Sequence, residues 1–334
     1  MIKINNNGIK KILITGGAGY VGSMLIPSLL SKGYEVIVYD LYMYGDVFKD
    51  ITNPKLIQIK ADLRDKEKLV EASKSVDAII HLACISNDPS FELNPELGKS
   101  VNFDAFLNVI DAVKINNVKR LVYASTSSVY GVKKERNVVE ETICEPLTDY
   151  SKYKVECEKI LQNLKEDLNW VIVRPATVCG YAPRLRLDVV VNVLTIHALI
   201  NKKIKVFGGE QLRPNINIKD MVLVYEMLLE APNDKIYHQT FNAGYQNLTV
   251  SEIANLVKKI CGPDIDLEVV PTDDNRSYHI NSDKIARILG FKPRFTVELA
   301  VQSLVDAFNS GLIKDGLNNP MYHNIKRMKE INLK

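Results

Sequence analysis

The chain has 334 residues, of which 46% are hydrophobic and 25% charged, with 43 Lys and Arg against 40 Asp and Glu for a formal charge of +3. That balance excludes a disordered or fibrous protein, and basic residues scattered among acidic ones leave no footprint for nucleic acid. At this length one core is near its limit, so two lobes sharing an interface are expected.

The predicted elements begin with Lys11–Thr15 (KILIT), a short β-branched run that leads into Thr15-Gly16-Gly17-Ala18-Gly19-Tyr20-Val21-Gly22. Gly16, Gly19 and Gly22 follow a G-x-x-G-x-x-G spacing between a strand and a helix. The first allows a tight turn, the second lets backbone approach a pyrophosphate, and the third packs helix on sheet with the helix amino end facing the phosphates. Pro27 falls inside that first helix, where it removes a hydrogen bond and predicts a kink. Glu35–Tyr39 (EVIVY) is the second strand, and Asp40 stands at its end, 24 residues after Gly16. A carboxylate there accepts hydrogen bonds from an adenosine ribose and repels a 2′-phosphate, and no arginine is its neighbour in the chain, so NAD is favoured over NADP. Leu56–Lys60 (LIQIK) is a third strand, followed by Asp62 and Leu63 where an adenine would lie.

Ala78–Leu82, Arg120–Ala124 and Trp170–Arg174 complete six buried strands, with helical periodicity between them at Asn102–Asn116 and Ser151–Leu164. This alternation predicts an α/β fold with a doubly wound parallel sheet. Strand five runs into Ser125-Thr126-Ser127-Ser128, and a hydroxyl at the carboxyl end of a parallel strand points into the crevice where ligands bind. Tyr150 and Lys154 lie four residues apart, on one helix face. A phenol with a pKa near 10 is a poor base at neutral pH, but a neighbouring ammonium favours its phenolate. After Gly180 the rhythm changes: helices at Val189–Asn201, Val250–Cys261 and Val297–Asn309 mix with charged, proline-bearing stretches. This half reads as a smaller, mixed α/β substrate lobe. The expected division is 1–182 plus about 215–245 for the dinucleotide, and 183–214 plus 246–334 for the substrate.

Cys84, Cys144, Cys157, Cys179 and Cys261 are odd in number, irregularly spaced and without a C-x-x-C pair, which argues against a disulfide framework and against structural zinc. Cys84 and Cys179 flank the nicotinamide site and read as inert. His81 reads as structural, and His197, His238, His279 and His323 lack metal-ligand spacing. No apolar run reaches signal-peptide or membrane-span length, so a soluble protein of a reducing cytoplasm, with no membrane partner, is expected.

TGGAGYVG, Asp40, ADLRD, HLAC, Asn102, ASTSSVYG, the Tyr150/Lys154 pair, RPATVCG, VFGGEQLRPNINIKD and DNRSYHINSDKI together resemble the extended short-chain dehydrogenase/reductase family, within it the nucleotide-sugar epimerases and dehydratases. The resemblance spans nearly the whole chain. It implies a Rossmann sheet that binds NAD through Gly16, Gly19, Tyr20, Val21, Gly22 and Asp40, then Asp62, Leu63, Leu82, Ala83, Cys84 and Asn102, and at the nicotinamide end Tyr150 and Lys154. It further implies Tyr150 as general base, Lys154 as its partner, and Thr126 as the hydroxyl bonded to the reacting sugar oxygen. Ser127, Thr177, Arg184 and Arg186 would join Thr126 at the substrate, with Arg213 and Arg276 gripping its diphosphate, as guanidinium forks suit. The Arg184–Asp188 loop could alternatively be a paired surface loop.

Dehydratases of this family carry an acidic residue just after the Thr; here Ser127 and Ser128 follow, which disfavours loss of water. The expectation is NAD-dependent epimerisation of a nucleotide sugar, at C4 through a transient 4-keto sugar. The alternative is a nucleotide-sugar 4-dehydrogenase or reductase, for example on a GDP-linked heptose. A two-fold homodimer is also implied, through the helices that carry Phe106, Ile110 or Val113, and Val155 or Leu161.

Overall fold

The computed structural model describes residues 8–135, 137–165, 167–272 and 277–333. Apolar residues at successive strand positions need cover on both faces, and the central sheet has it. Strands β1 (Lys11–Thr15), β2 (Glu35–Asp40), β3 (Leu56–Lys60), β4 (Ala78–His81), β5 (Arg120–Ala124), β6 (Trp170–Pro175) and β10 (Gln239–Ala243) run parallel in the order β10-β6-β5-β4-β1-β2-β3. Ile12 and Ile14 of β1 point to one face, where helices α1 (Gly22–Ser31) and α5 (Ile218–Glu230) bring Leu25, Leu29, Val224 and Leu228. Leu13 points to the other, against α2 (Ala105–Ile115) and α3 (Asp149–Asn163).

Two short sheets make up the rest: β7 (Thr177–Cys179), β9 (Leu212–Asn217) and β11 (Gln246–Thr249) in the order β11-β9-β7, and β8 (Lys203–Phe207) beside β12 (Asp266–Val270). Helices α4 (Val190–Asn201), α6 (Val250–Cys261) and α7 (Val297–Asn309) close over them around Leu194, Ile204, Ile253, Val257 and Val301. Thr249 and Glu252 form a capping box that starts α6 where periodicity places it.

Several expectations are corrected. The sheet has a seventh strand, β10, which polar Gln239, Thr240 and Asn242 disguise; buried Asn242 accepts a 2.7 Å hydrogen bond from the Tyr130 hydroxyl. The helix expected from Asn102 begins as a π-helical turn, Ser100–Asp104, that holds Asn102 before α2 proper. Helix α3 starts at Asp149, capped by Thr148, so Tyr150 lies in its first turn. Phe106, Ile110, Val113, Val155 and Leu161 are all buried within the chain, and none forms an outward strip. Pro27 lies inside helix α1, where the sequence places it. No helix among the described residues is long and apolar enough to cross a membrane.

His81 ends β4 fully covered, its Nδ1 2.7 Å from the Thr15 hydroxyl. Burial first, and then the Lys154 cation, push its imidazole down to about 3. The unfolded chain takes up a proton near pH 6.5 that the folded chain refuses, so this group destabilises the fold as pH falls below 6.5. His81→Asn should flatten the acid side of the stability curve, removing about 2 kcal/mol of the loss between pH 8 and pH 5 in urea titrations. Parallel curves for the two proteins would refute a neutral His81.

Candidate active site

The carboxyl ends of β1, β2, β4, β5 and β6 open into one cleft of about 520 Å³, running from Asp40 to Tyr150. At its centre Gly16 sits at φ +69°, and a Cβ there would lie 2.5 Å from the Ala83 nitrogen. A Cβ on Gly22 would lie 2.1 Å from the Gly17 carbonyl oxygen, so the first turn of α1 packs directly on the glycine turn. Gly16, Gly19, Tyr20, Val21 and Gly22 all line the cleft. The Tyr20 hydroxyl donates to the Gly180 carbonyl at 2.5 Å and accepts from Asn192 at 3.1 Å, which ties the turn to the substrate side.

At one end the Asp40 carboxylate accepts N–H bonds from Ala18 (3.0 Å) and Tyr42 (2.7 Å). Burial raises its pKa, opposed by those two N–H groups and by Arg184. Asp62 and Leu63 line the same end, with Asp62 held by Arg64 at 2.7 Å. The loop after β4 contributes Leu82, Ala83 and Cys84. Asn102, expected at the cofactor, is not part of the lining: its amide accepts from the Ile85 N–H (2.7 Å) and donates to the Ile85 carbonyl (2.9 Å), so it fixes that loop from behind.

At the reacting end Tyr150 and Thr126 line the cleft together, and the Thr126 hydroxyl accepts from the Ser128 N–H at 3.2 Å. Burial drives the phenol well above its usual pKa, reinforced by Cys84 and Asp88 and opposed by Arg186 and Thr126. Lys154 is buried below, donating at 2.7 Å to the Ala124 carbonyl, 5.0 Å above the Tyr123 ring. Glu158, one turn further along α3, accepts from the Ser125 hydroxyl and from Arg174 at 2.6 Å and 3.0 Å. Arg174 reaches on to the Tyr130 hydroxyl at 2.8 Å, so β5, α3 and β6 meet in one buried network.

Ser127, Thr177 and Arg213 line the cleft beside Thr126, and Arg213 stands 5.5 Å from the Tyr278 ring. Arg276 lies outside the described residues. Arg184 and Arg186 are not on a surface loop. Arg186 pairs with Asp188 at 2.9 Å and keeps a buried Nη2 without a protein partner. Arg184, only 4% exposed, lies toward Asp40 rather than Tyr150, its guanidinium 3.6 Å from the Tyr44 ring centroid. Sequence reasoning missed Asp88, Tyr44 and the last helix, α8 (Asn324–Glu330), whose Asn324 and Met328 line the cleft. Asn324 is 140 residues from Arg184, a separation that leaves no local signal. Among the described residues no cluster of three or more His, Cys, Asp or Glu could hold a metal ion.

Residues 12–244 match the NAD dependent epimerase/dehydratase family. The chain is 26% identical over 312 residues to a UDP-glucose 4-epimerase of Lactobacillus helveticus, covering 85% of this chain and 92% of that protein. It is 32% identical over 267 residues to an uncharacterized UDP-glucose epimerase, YtcB, of Bacillus subtilis, covering 75% and 82%. The structure of a Thermotoga maritima UDP-glucose 4-epimerase with UDP-glucose superposes with a TM-score of 0.82 at 25% identity, over 90% of this chain and 99% of that one. The chain therefore belongs to the NAD dependent epimerase/dehydratase family and is an enzyme of that class, with NAD as cofactor.

The cleft fits that cofactor physically. The glycine turn leaves no room for a Cβ where backbone must approach phosphate, and Arg184 Nε and Nη1 are buried donors without a protein partner. Asp40→Ala should narrow the preference for NAD over NADP in fluorescence titrations. Equal binding of the two cofactors by the unaltered protein would refute the role of Asp40.

Proposed function

We propose that the enzyme epimerises a nucleotide-linked sugar at C4 through a 4-keto intermediate. The observation that carries this reading is that Tyr150 and Thr126 line one cleft together, with two serines instead of an acid after Thr126. The sugar 4-hydroxyl lies between the two side chains, Thr126 bonding its oxygen while Tyr150 takes its proton. Bound NAD supplies a reversible acceptor for the hydride leaving C4. Burial keeps the resting phenol protonated, so the cations nearby, Lys154 below and Arg186 across the cleft, favour the phenolate during turnover. Thr126 and Tyr150 then serve either face of the turned sugar, and Tyr150 returns the proton. Arg213 takes the diphosphate.

Elimination of water needs a proton donor for the leaving hydroxyl. The cleft carboxylates Asp88 and Asp188 are engaged: Asp88 accepts from the Thr148 hydroxyl at 2.6 Å, and Asp188 pairs with Arg186. Burial raises the Asp188 pKa, but Arg186, Arg184 and the Asn324 N–H together bring it below the usual carboxylate value, so the group stays ionised and donates poorly. Incubation with UDP-, GDP-, CDP- and dTDP-sugars should therefore give a product of unchanged mass by mass spectrometry. A product two hydrogens lighter would make the enzyme a net 4-dehydrogenase, and one lighter by a water would overturn the reading. Tyr150→Phe keeps the ring and should lower turnover by roughly two to four orders of magnitude while NAD still binds; near-normal activity would remove Tyr150 from the mechanism.

A two-fold homodimer through the outward sides of α2 and α3 is part of the same proposal. Leu107 (41%) and Ile115 (57%) lie exposed on α2, and Phe103 and Tyr153 bring their rings within 5.5 Å beside them. Light scattering at micromolar concentration should give twice the chain mass, and a monomeric mass would refute the assembly.

A further inference from the structure

Arg184 presents a physical problem that NAD alone does not explain. A guanidinium that is 4% exposed, with Nε and Nη1 lacking protein partners, is costly to leave unmatched and must be aimed with some accuracy to meet an anion. Its backbone N–H donates at 3.3 Å to the Ser23 hydroxyl in the first turn of α1, which sets the residue beside the glycine turn. Its remaining N–H group, on Nη2, donates at 2.6 Å to the side-chain oxygen of Asn324. That oxygen also accepts from the Tyr44 hydroxyl at 2.8 Å, and Tyr44 is the ring on which the guanidinium lies.

Asn324 is itself 3% exposed and has every polar group engaged. Its amide nitrogen donates to the Ser86 hydroxyl (3.1 Å) and carbonyl (3.4 Å), and its backbone N–H to Asp188 (3.3 Å). One residue thus joins the loop after β2, the loop after β4 and the 184–188 loop, three segments that border the cleft between Asp40 and Tyr150. The rest of α8 continues the closure. Met328 packs with Ile85 and Leu97, and Arg327 donates to the Met43 carbonyl at 2.5 Å.

We propose that Asn324 is a positioning residue of the cofactor site: it aims Arg184 at the NAD pyrophosphate, and α8 closes the cleft over the bound dinucleotide so that NAD stays in place between turnovers. The aiming of Arg184 rests on the NAD site alone, whereas retention of NAD between turnovers rests on the epimerisation proposed above. A cofactor that is reduced and reoxidised in place has no need to exchange, and a wall built across its exit slows departure without any new contact to the substrate.

The test is the rate at which NAD leaves. Protein loaded with NAD and freed of excess by gel filtration is followed by assay of the released nucleotide, for the unaltered chain, Asn324→Ala, Arg184→Met and the double variant, with thermal melts of each. Asn324→Ala should release NAD at least about tenfold faster, the scale of one lost charge-assisted hydrogen bond. The double variant should release it no faster than the sum of α8 loosening and Arg184→Met allows, because Asn324 acts partly through Arg184 and the effects fall short of additive. Arg184→Met in the full chain serves if Asn324→Ala does not fold, and should also lose NAD faster. Unchanged release from the Asn324→Ala protein, or fully additive effects in the double variant, would overturn the proposal. No epimerisation of any nucleotide sugar by the unaltered protein, with NAD retained, would instead count against the epimerase reading alone.

Discussion

Glu158 stands two turns along α3 from Tyr150, buried, accepting from Ser125 on one side and from Nε and Nη2 of Arg174 on the other. The reacting end depends on this contact. Ser125 immediately precedes Thr126, so holding its hydroxyl fixes the strand end from which Thr126 projects. The Lys154 ammonium holds the carbonyl one residue earlier, which leaves the tip of β5 bonded to the Tyr150 helix at two successive residues. Removing one partner of such a buried pair costs about 3–5 kcal/mol because the other charge is left unmatched. Arg174 is in turn held by the Tyr130 hydroxyl and the Glu140 carbonyl, so the pair is saturated rather than merely close.

The cofactor end is built on the opposite physical basis. There the backbone approaches so closely that side chains are excluded, as at Gly16 against Ala83 and Gly22 against Gly17. Polar groups are left for the ligand instead: Asp40 retains acceptor capacity beyond its two backbone bonds, and Arg184 retains donors. The polar groups at the Tyr150 end are saturated within the protein, and those at the Asp40 end keep donors and acceptors to spare. The two meet at the loop after β4, where Asn102 holds Ile85 from behind and Asn324 holds Ser86 from the front.

What the sequence made legible follows from the range of each interaction. KILIT, EVIVY and RLVYA declare their strands because burial on both faces demands continuous apolar runs, and the glycine turn and the Tyr150–Lys154 spacing are equally local. Strand β10 was hidden because its buried polar residue, Asn242, is satisfied by Tyr130, 112 residues away. Asn102 belongs to a motif in the sequence, but its partner, the Ile85 backbone, lies 17 residues upstream and is not signalled by it. The apolar residues of α2 and α3 could be placed on helices but not on faces, and Phe106 and Leu161 turned inward to the sheet. Arg184, Tyr44 and Asn324 form a cluster only after three separate segments fold together, which no spacing rule encodes.

Tyr20 belongs to the phosphate turn, yet its hydroxyl is fastened to Gly180 and Asn192, and Asn192 also holds the Arg186 carbonyl at 2.8 Å. The floor of the dinucleotide groove is thereby riveted to the segment that carries Arg184 and Arg186. A wide hinge opening of the two halves would first have to break these buried bonds. A ligand therefore enters by local displacement of side chains at the mouth rather than by a clamshell motion, and the distance from the glycine turn to the 180–192 segment is set when the chain folds, before any ligand arrives.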